Sequence, residues 1–432
     1  MEVERERSSI SFISFLSSSH IASIIVISFS SLSDEMNDST LARLLDEGIS
    51  ICEKGEIING SSVYCSPSNS SLIIQAIIAF SFISLIIASI TGNIVVMWII
   101  YRHKVMHHAF NIFLFNMALA DLLIALFNVG TSWTYNVYYD WWYGDLCPVT
   151  LFFGVTPTCV SVFSMMALSW DRCQAVVNPL YRRPLSIKKA LIRIGIIWFI
   201  SSLIALPNIL FYKITTGIFY NSETHSINTP STCFMSFPSY EEYIDIPFGL
   251  WYDRSLFILQ YALPLIILTL TFTRIAYVLR ESSKAQLLRS THRSMDPGKA
   301  KRKVIKMVAL MVGVFMICWF PYHGYHTFSE IFNMEPGILY TIVYWLAMAP
   351  CAANPIIYCY SNKRFRIGFR YVFRRFPCVE CDRREYTESA LFSNNSRCAA
   401  MKTESREYCK IRSPPSKIRS PPSLNGKTAS QL

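Results

Sequence analysis

Two histidines three residues apart, His323 and His326, a carboxylate at Asp121, an acid–base pair at Asp171-Arg172 and carboxamides at Asn93 and Asn354 all sit in or at the ends of long apolar runs. Ionisable groups in hydrocarbon are costly unless paired or functional, so these few are the residues to question first. His323 and His326 share a helical face, which is how two imidazoles can be presented to a metal ion. The other six histidines, at 20, 103, 107, 108, 225 and 292, lie outside the apolar runs and leave no third ligand, so the pair reads as hydrogen-bonding groups lining a pocket. A hydrolase would need a metal triad or a nucleophile with its base, and the same census argues against one; the chain is read as no enzyme. Just before the histidines, FMICWFPYHGYH (315–326) carries Pro321, which removes a backbone hydrogen bond and bends a helix. Lipid tolerates that only where neighbouring groups satisfy the freed carbonyl, so the stretch reads as a moving part.

The elements that hold these residues follow from composition. The chain has 432 residues, 52% of them hydrophobic and 16% charged, a balance that points to an integral membrane protein rather than a soluble domain. Seven stretches exceed the roughly 20 residues needed for a crossing: 72–101, 111–136, 147–176, 187–211, 254–280, 300–328 and 337–360. The fold class is therefore an all-α seven-helix membrane bundle. Segments 137–146, 212–253 and 329–337 hold one basic residue, Lys213, and nine acids, whereas Arg182, Arg183, Lys188, Lys189 and Lys299 to Lys306 lie on the other side. The basic side is expected in the cytoplasm, with the amino terminus outside and the carboxyl terminus inside, at the plasma membrane. The net charge of +11 is thus a matter of topology, and nucleic acid is excluded as a partner. Only Asp121 is deep in the membrane, and no internal repeat is visible, which disfavours a transporter or channel.

Around the bundle (72–360), residues 1–71 form an outer tail with sequons at Asn37, Asn59 and Asn69 as glycosylation candidates. Within it, 10–32 is a serine-rich apolar stretch whose leader MEVERER has three acids against two bases, the wrong bias for a signal peptide. Residues 361–381 follow the last span: Phe365, Phe369, Val372 and Phe373 recur among arginines as an amphipathic eighth helix lying along the membrane lipid. Cys378 and Cys381 after it are palmitoylation candidates. From 382 to 432 the chain is polar, with a tandem IRSPPS, and is read as disordered.

From 72 to 381 the motifs occur in the order of one family: Gly92-Asn93, LAD ending at Asp121, Asp171-Arg172-Cys173, Trp198, Pro264, FxxCWxP from Phe315 to Pro321, and Asn354-Pro355-Ile356-Ile357-Tyr358. Each is weak alone, but their joint order is specific, and the chain resembles a rhodopsin-like G-protein-coupled receptor. The resemblance implies a Cys147–Cys233 disulfide, Trp319 as ligand sensor, Phe315 as relay against Pro264 and Val162, and an inner end where Arg172 meets a heterotrimeric G protein. Asp121, Asp171, Asn354, Pro355 and Tyr358 complete the implied activation switch. Arrestin and receptor kinases are implied partners. Asp121, Ser161 and Asn354 can hold a sodium ion, although Pro350 and Cys351 stand where polar partners are common. No other cofactor is expected. Lys301 replaces an acid, so no salt bridge from the sixth helix should lock Arg172; Cys173 and Phe272 replace tyrosines.

The ligand class narrows further. An amine receptor needs a carboxylate seven residues after Cys147, where this chain has Gly154, and a retinal receptor needs a lysine in the seventh span, which has none. FNVGTSWTYNV (127–137), LFFG (151–154), CFMSFP (233–238), CWFPYH (318–323) and YWLAM (344–348) resemble tachykinin (neurokinin) peptide receptors. That likeness places Asn128, Ser132, Thr150, Asn208, Tyr252, Asp253, Tyr322, His323, His326 and Tyr340 at pocket positions. It implies an amidated peptide ligand and a Gq-type G protein; the alternative is another neuropeptide class, such as neuropeptide Y-like peptides.

Overall fold

The computed structural model describes residues 57–58, 61–62, 71–138, 140–178, 185–216, 219–221, 226–228, 231–235, 248–288, 298–332, 337–376 and 379. Seven of its helical segments are long and apolar enough to cross a membrane. In chain order, α1 is Leu72–Arg102, α2 runs through Ala109–Leu123, Ile124–Val129 and Gly130–Tyr138, α3 is Cys147–Val177 and α4 is Ile187–Phe211. Then α5 runs through Phe248–Phe257, Ile258–Ala262 and Leu263–Leu288, α6 is Gly298–Phe332, α7 is Ile338–Met348 continued by Pro350–Ser361, and α8 is Lys363–Val372. The expected spans thus agree with the helices to within a few residues, except that α5 and α6 run further at both ends.

Helix α3 is the axis of the bundle: fifteen of its residues are buried, against four on α4. Those four, Ala190, Ser201, Ala205 and Asn208, are small or polar, which lets α4 approach closely where no water drives association. Outside the packed faces, Ile87, Leu191, Phe199, Leu270, Ile317 and Phe320 are exposed. Such a belt would aggregate in water and is solvated by acyl chains in a bilayer.

Two helices widen into π turns where the ladder is disturbed. In α5 the wide turn Ile258–Ala262 lies just before Pro264, whose ring conflicts with the carbonyl four residues back. In α2 the wide turn Ile124–Val129 ends at Gly130, where a β-carbon would lie 2.9 Å from the Ala125 carbonyl oxygen. Neither turn was visible as periodicity.

Helices α1 and α7 are joined by a close contact. The Asn93 side chain donates to the Cys351 carbonyl at 2.9 Å, and one residue earlier a β-carbon on Gly92 would come within 2.8 Å of Pro355. Helix α8, Lys363–Val372, falls within the segment 361–381 and packs in part on the bundle. Phe365 is fully buried with its ring 5.7 Å from that of Tyr358, and Gly368 sits directly against Ile99, so the apolar face docks in part on α7 and α1.

Between α4 and α5 the chain forms strands where the sequence suggested only a loop. Strand β3 (Tyr212–Thr216) pairs antiparallel with β6 (Ser231–Met235), with Ile214 opposite Cys233. The shorter β4 (Phe219–Asn221) and β5 (Ser226–Asn228) pair between them, and β1 (Ile57–Ile58) with β2 (Ser61–Ser62) near the start of the chain. The β3/β6 pair is fastened at the head of α3 by the Cys147–Cys233 disulfide, with Cα atoms 5.8 Å apart. It is also tied to the α2–α3 connection: Asp140 accepts the Ser231 N–H and the Trp141 N–H donates to the Ser231 carbonyl, both at 2.8 Å.

Because Gly92 meets Pro355 directly, Gly92→Ala is expected to lower stability by about 1–3 kcal/mol through overpacking. Gly195→Ala, on a helix face with nothing within 4 Å, should be neutral or slightly stabilising. Thermal unfolding of the detergent-solubilised chain checks both; equal behaviour of the two variants would refute the contact.

Candidate functional site

Under the β3/β6 strands, helices α2, α3, α5, α6 and α7 enclose a cavity of about 330 Å³ that opens toward the disulfide end. Pro321 lies inside α6, where a proline removes a backbone hydrogen bond and bends the axis, and Trp319 and His323 on either side of it, one turn apart, both line the cavity. The wide turn of α2 similarly re-aims Asn128, and that of α5 re-aims Gln260.

The walls are aromatic. Trp319 stacks on His323 at 5.5 Å, Tyr261 meets His323 at 4.8 Å, Tyr322 meets His326 edge-on at 4.5 Å, and Tyr340 stacks on Tyr344 at 6.1 Å. Into this ring system His323 brings a buried Nε2 with no protein hydrogen-bond partner. A buried nitrogen without a partner carries an unmet desolvation cost, which a ligand or water can relieve. At the rim, burial first and then nearby Asp253 push the Tyr212 phenol well above its usual pKa, so it remains a neutral hydrogen-bonding group.

Of the residues expected at pocket positions, Asn128, Ser132, Thr150, Asp253, Tyr322, His323, His326 and Tyr340 line the cavity. Asn208 and Tyr252 are not on its wall. The Asn208 side chain donates to the Tyr252 hydroxyl at 2.8 Å, and that hydroxyl donates to the Ile204 carbonyl at 3.0 Å, so the two satisfy each other between α4 and α5. Residues not singled out from the sequence also face the cavity, among them Tyr344, Gln260, Arg254 and Asn136. Tyr344 lies one turn after Tyr340 and Gln260 two turns after Asp253; that spacing was the signal that could have found them. Gly154, read as an argument against amines, has a physical reason: a β-carbon there would lie 2.5 Å from the Asn128 side-chain nitrogen.

Deeper in the bundle, Asp121 accepts from Asn354 at 2.8 Å and from Ser161 at 3.4 Å. A hard cation needs several oxygen ligands. The side-chain oxygens beside Asp121 are those of Ser161 and Asn354, and Asn354 turns its amide nitrogen toward the carboxylate; Pro350 and Cys351 bring no side-chain oxygen. These residues fit a sodium ion poorly. Among the described residues no group of three or more His, Cys, Asp or Glu can hold a metal. Phe315 stacks on Trp319 at 5.4 Å and shares the core cluster with Val162.

At the far end, Arg172 pairs with its neighbour Asp171 and lies over the Phe110 ring at 5.1 Å, a cation–π contact between α3 and α2. Beside this pair Cys173, Ile275 and Ile305 bring α3, α5 and α6 together in an apolar cluster, with Phe272 against it. Glycosylation candidates Asn37, Asn59 and Asn69 and palmitoylation candidates Cys378 and Cys381 lie outside the described residues.

The family described as 7 transmembrane receptor (rhodopsin family) matches residues 92–358. A probable G-protein coupled receptor of Caenorhabditis elegans, tkr-1, is 51% identical over 344 residues, covering 78% of this chain and 81% of the relative. The substance-P receptor of Aquarana catesbeiana is 34% identical over 315 residues, 72% of this chain and 73% of its own. The neuromedin-K receptor of Mus musculus is 34% identical over 299 residues, 68% of this chain and 62% of its own. With seven crossing helices, the disulfide at the head of α3 and the match across the bundle, the chain belongs to the rhodopsin family of seven-transmembrane G-protein-coupled receptors, where it resembles the tachykinin receptors.

Proposed function

We propose that this receptor binds an amidated neuropeptide of tachykinin type in the cavity under the β3/β6 strands and activates a Gq-class heterotrimeric G protein. The observation that carries the reading is the aromatic-walled cavity with the His323 nitrogen, without a protein hydrogen-bond partner, in its wall. A peptide with an amidated end brings aromatic or aliphatic side chains for the rings and a neutral amide for the polar groups, with no terminal charge to desolvate. The names of relatives sharing two thirds or more of this chain, substance-P and neuromedin-K receptors, support the same class.

In this reading the amino terminus lies outside the cell, as the nine acids on the cavity side against the basic opposite side favour. Those outer acids also favour a peptide with basic residues, through steering of the encounter. A docked peptide pressing on Trp319 moves the outer half of α6, and Pro321 turns that shift into a larger swing of the inner half, away from the apolar contact of Ile305 with Cys173 and Ile275. The crevice so opened exposes Arg172 to the G protein. Arrestin and receptor kinases are further partners in the same proposal.

Calcium release in cells expressing the chain, screened with an amidated peptide panel, tests the function; a response only to neuropeptide Y-like members would replace the tachykinin class. His323→Ala should raise the half-maximal peptide concentration about tenfold at unchanged surface level, since one hydrogen bond and one stacked ring are lost. An unchanged dose curve would remove His323 from the ligand site. At the inner end, where no α6 acid holds Arg172, Phe110→Ala should raise ligand-independent signalling by a few-fold, since a cation–π contact contributes about 0.5–1 kcal/mol. Phe110→Tyr, which keeps a ring, should restore the basal level; basal output insensitive to both changes would sink the idea that Phe110 restrains Arg172.

A further inference from the structure

A chain of three polar side chains joins α2 to α7 at the cavity wall. The Tyr344 hydroxyl lies 2.6 Å from the Ser132 hydroxyl and donates to the Asn128 side-chain oxygen at 2.9 Å. Each hydroxyl has one proton to give, so the order of donation decides how the network runs. If Ser132 donates to Tyr344, then Tyr344 donates to Asn128 Oδ1, and the Asn128 amide must turn its NH2 group the other way. The competing claim on the Ser132 proton is the Asn128 carbonyl at 2.7 Å. The Thr131 hydroxyl also reaches that carbonyl, at 3.1 Å, but lies nearer the Phe127 carbonyl, at 2.7 Å. The side-chain nitrogen of Asn128 faces Gly154, where the missing β-carbon leaves the space that the amide occupies. Gly154 and Asn128 both line the cavity.

We infer that Tyr344 is a positioning and specificity-determining residue: it fixes the Asn128 carboxamide so that a hydrogen-bond donor, and not an acceptor, faces the ligand at this wall. The ligand group met there is therefore an acceptor oxygen, such as a peptide or terminal-amide carbonyl, and a ligand offering an N–H at that point is disfavoured because two donors would face each other. The selectivity comes from a side chain whose own hydroxyl is turned away from the ligand toward α2. Ser132 orients Tyr344, and Gly154 is required for the amide to lie where it does. The inference rests on the peptide reading above.

A double-substitution cycle on the full chain tests it, with calcium release per surface receptor read against the most potent peptide of the amidated panel. Tyr344→Phe keeps the ring that stacks on Tyr340 and removes only the hydroxyl. It should raise the half-maximal concentration about tenfold, and Asn128→Ala should do the same. The double variant should be no worse than Asn128→Ala alone, because Tyr344 acts through Asn128. Asn128→Asp, which puts an acceptor where the NH2 group was, should lose more than Asn128→Ala. Multiplied losses in the double variant, wild-type potency of Tyr344→Phe, or an Asn128→Asp receptor as potent as wild type each overturn the inference while leaving the peptide reading intact. Should Tyr344→Phe fail to reach the surface, Gly154→Ala carries the test, since its β-carbon displaces the amide without altering any donor; about tenfold loss supports the inference and wild-type potency overturns it. A wild-type receptor silent to every peptide overturns the underlying reading and this inference with it.

Discussion

A polar group buried in hydrocarbon has no water to turn to, so the donors and acceptors inside this bundle are met on their own helix or across a helix interface. That constraint organises the molecule. Asp121 is held by Asn354 and Ser161, Asn93 by the Cys351 carbonyl, and Trp198 and Ser164 share Asn116, so helices α1, α2, α3, α4 and α7 are tied through their middles by a small set of hydrogen bonds. Apolar packing alone would not fix which faces meet, because lipid tails solvate leucine as well as another helix does. Several buried side-chain atoms lack a protein hydrogen-bond partner among the described residues, and one of them, His323 Nε2, belongs to a residue in the wall of the cavity.

The same scarcity of water governs how the helices bend. Pro157, Pro207, Pro321 and Pro355 each lie inside a helix, where the missing N–H removes a rung of the ladder, and two wide turns add further offsets in α2 and α5. A bend stores no chemistry, but it divides a helix into an outer part that can touch a ligand and an inner part that can move against its neighbours. At the inner end of α6 Ile305 packs against Cys173 and Ile275, so separation there exposes hydrophobic surface. Arg172 is restrained from the other side, by Asp171 on its own helix and Phe110 on α2.

Above the cavity, three attachments converge on two residues of β6. Cys233 is bonded to the head of α3, and Ser231 is held through both its backbone N–H and carbonyl by Asp140 and Trp141. The strand is thereby made part of the bundle, and the cavity keeps a fixed rim over walls that can shift. In the proposed reading a ligand meets a preformed upper edge and presses on Trp319 in the wall below it.

Much of this was legible in the residues themselves. Apolar runs of sufficient length set the seven crossings, the rare ionisable residues within them marked Asp121 and Arg172, and the order of the motifs pointed to the family, because each depends on local composition or spacing; the Cys147–Cys233 pairing followed only as what the family resemblance implied. What the tertiary structure decided was which polar residues face the cavity and which satisfy one another. Asn208 and Tyr252 had the right types but bond to each other, whereas Tyr344, drawn in by Ser132 and Asn128 on a helix more than two hundred positions away in sequence, lines the wall. The burial of Phe365 against Tyr358 and the wide turns before Gly130 and Pro264 were hidden for the same reason. Periodicity reports how a residue sits on its own helix, but a partner on another helix is fixed only when the chain has folded and each buried group has chosen among the neighbours within reach.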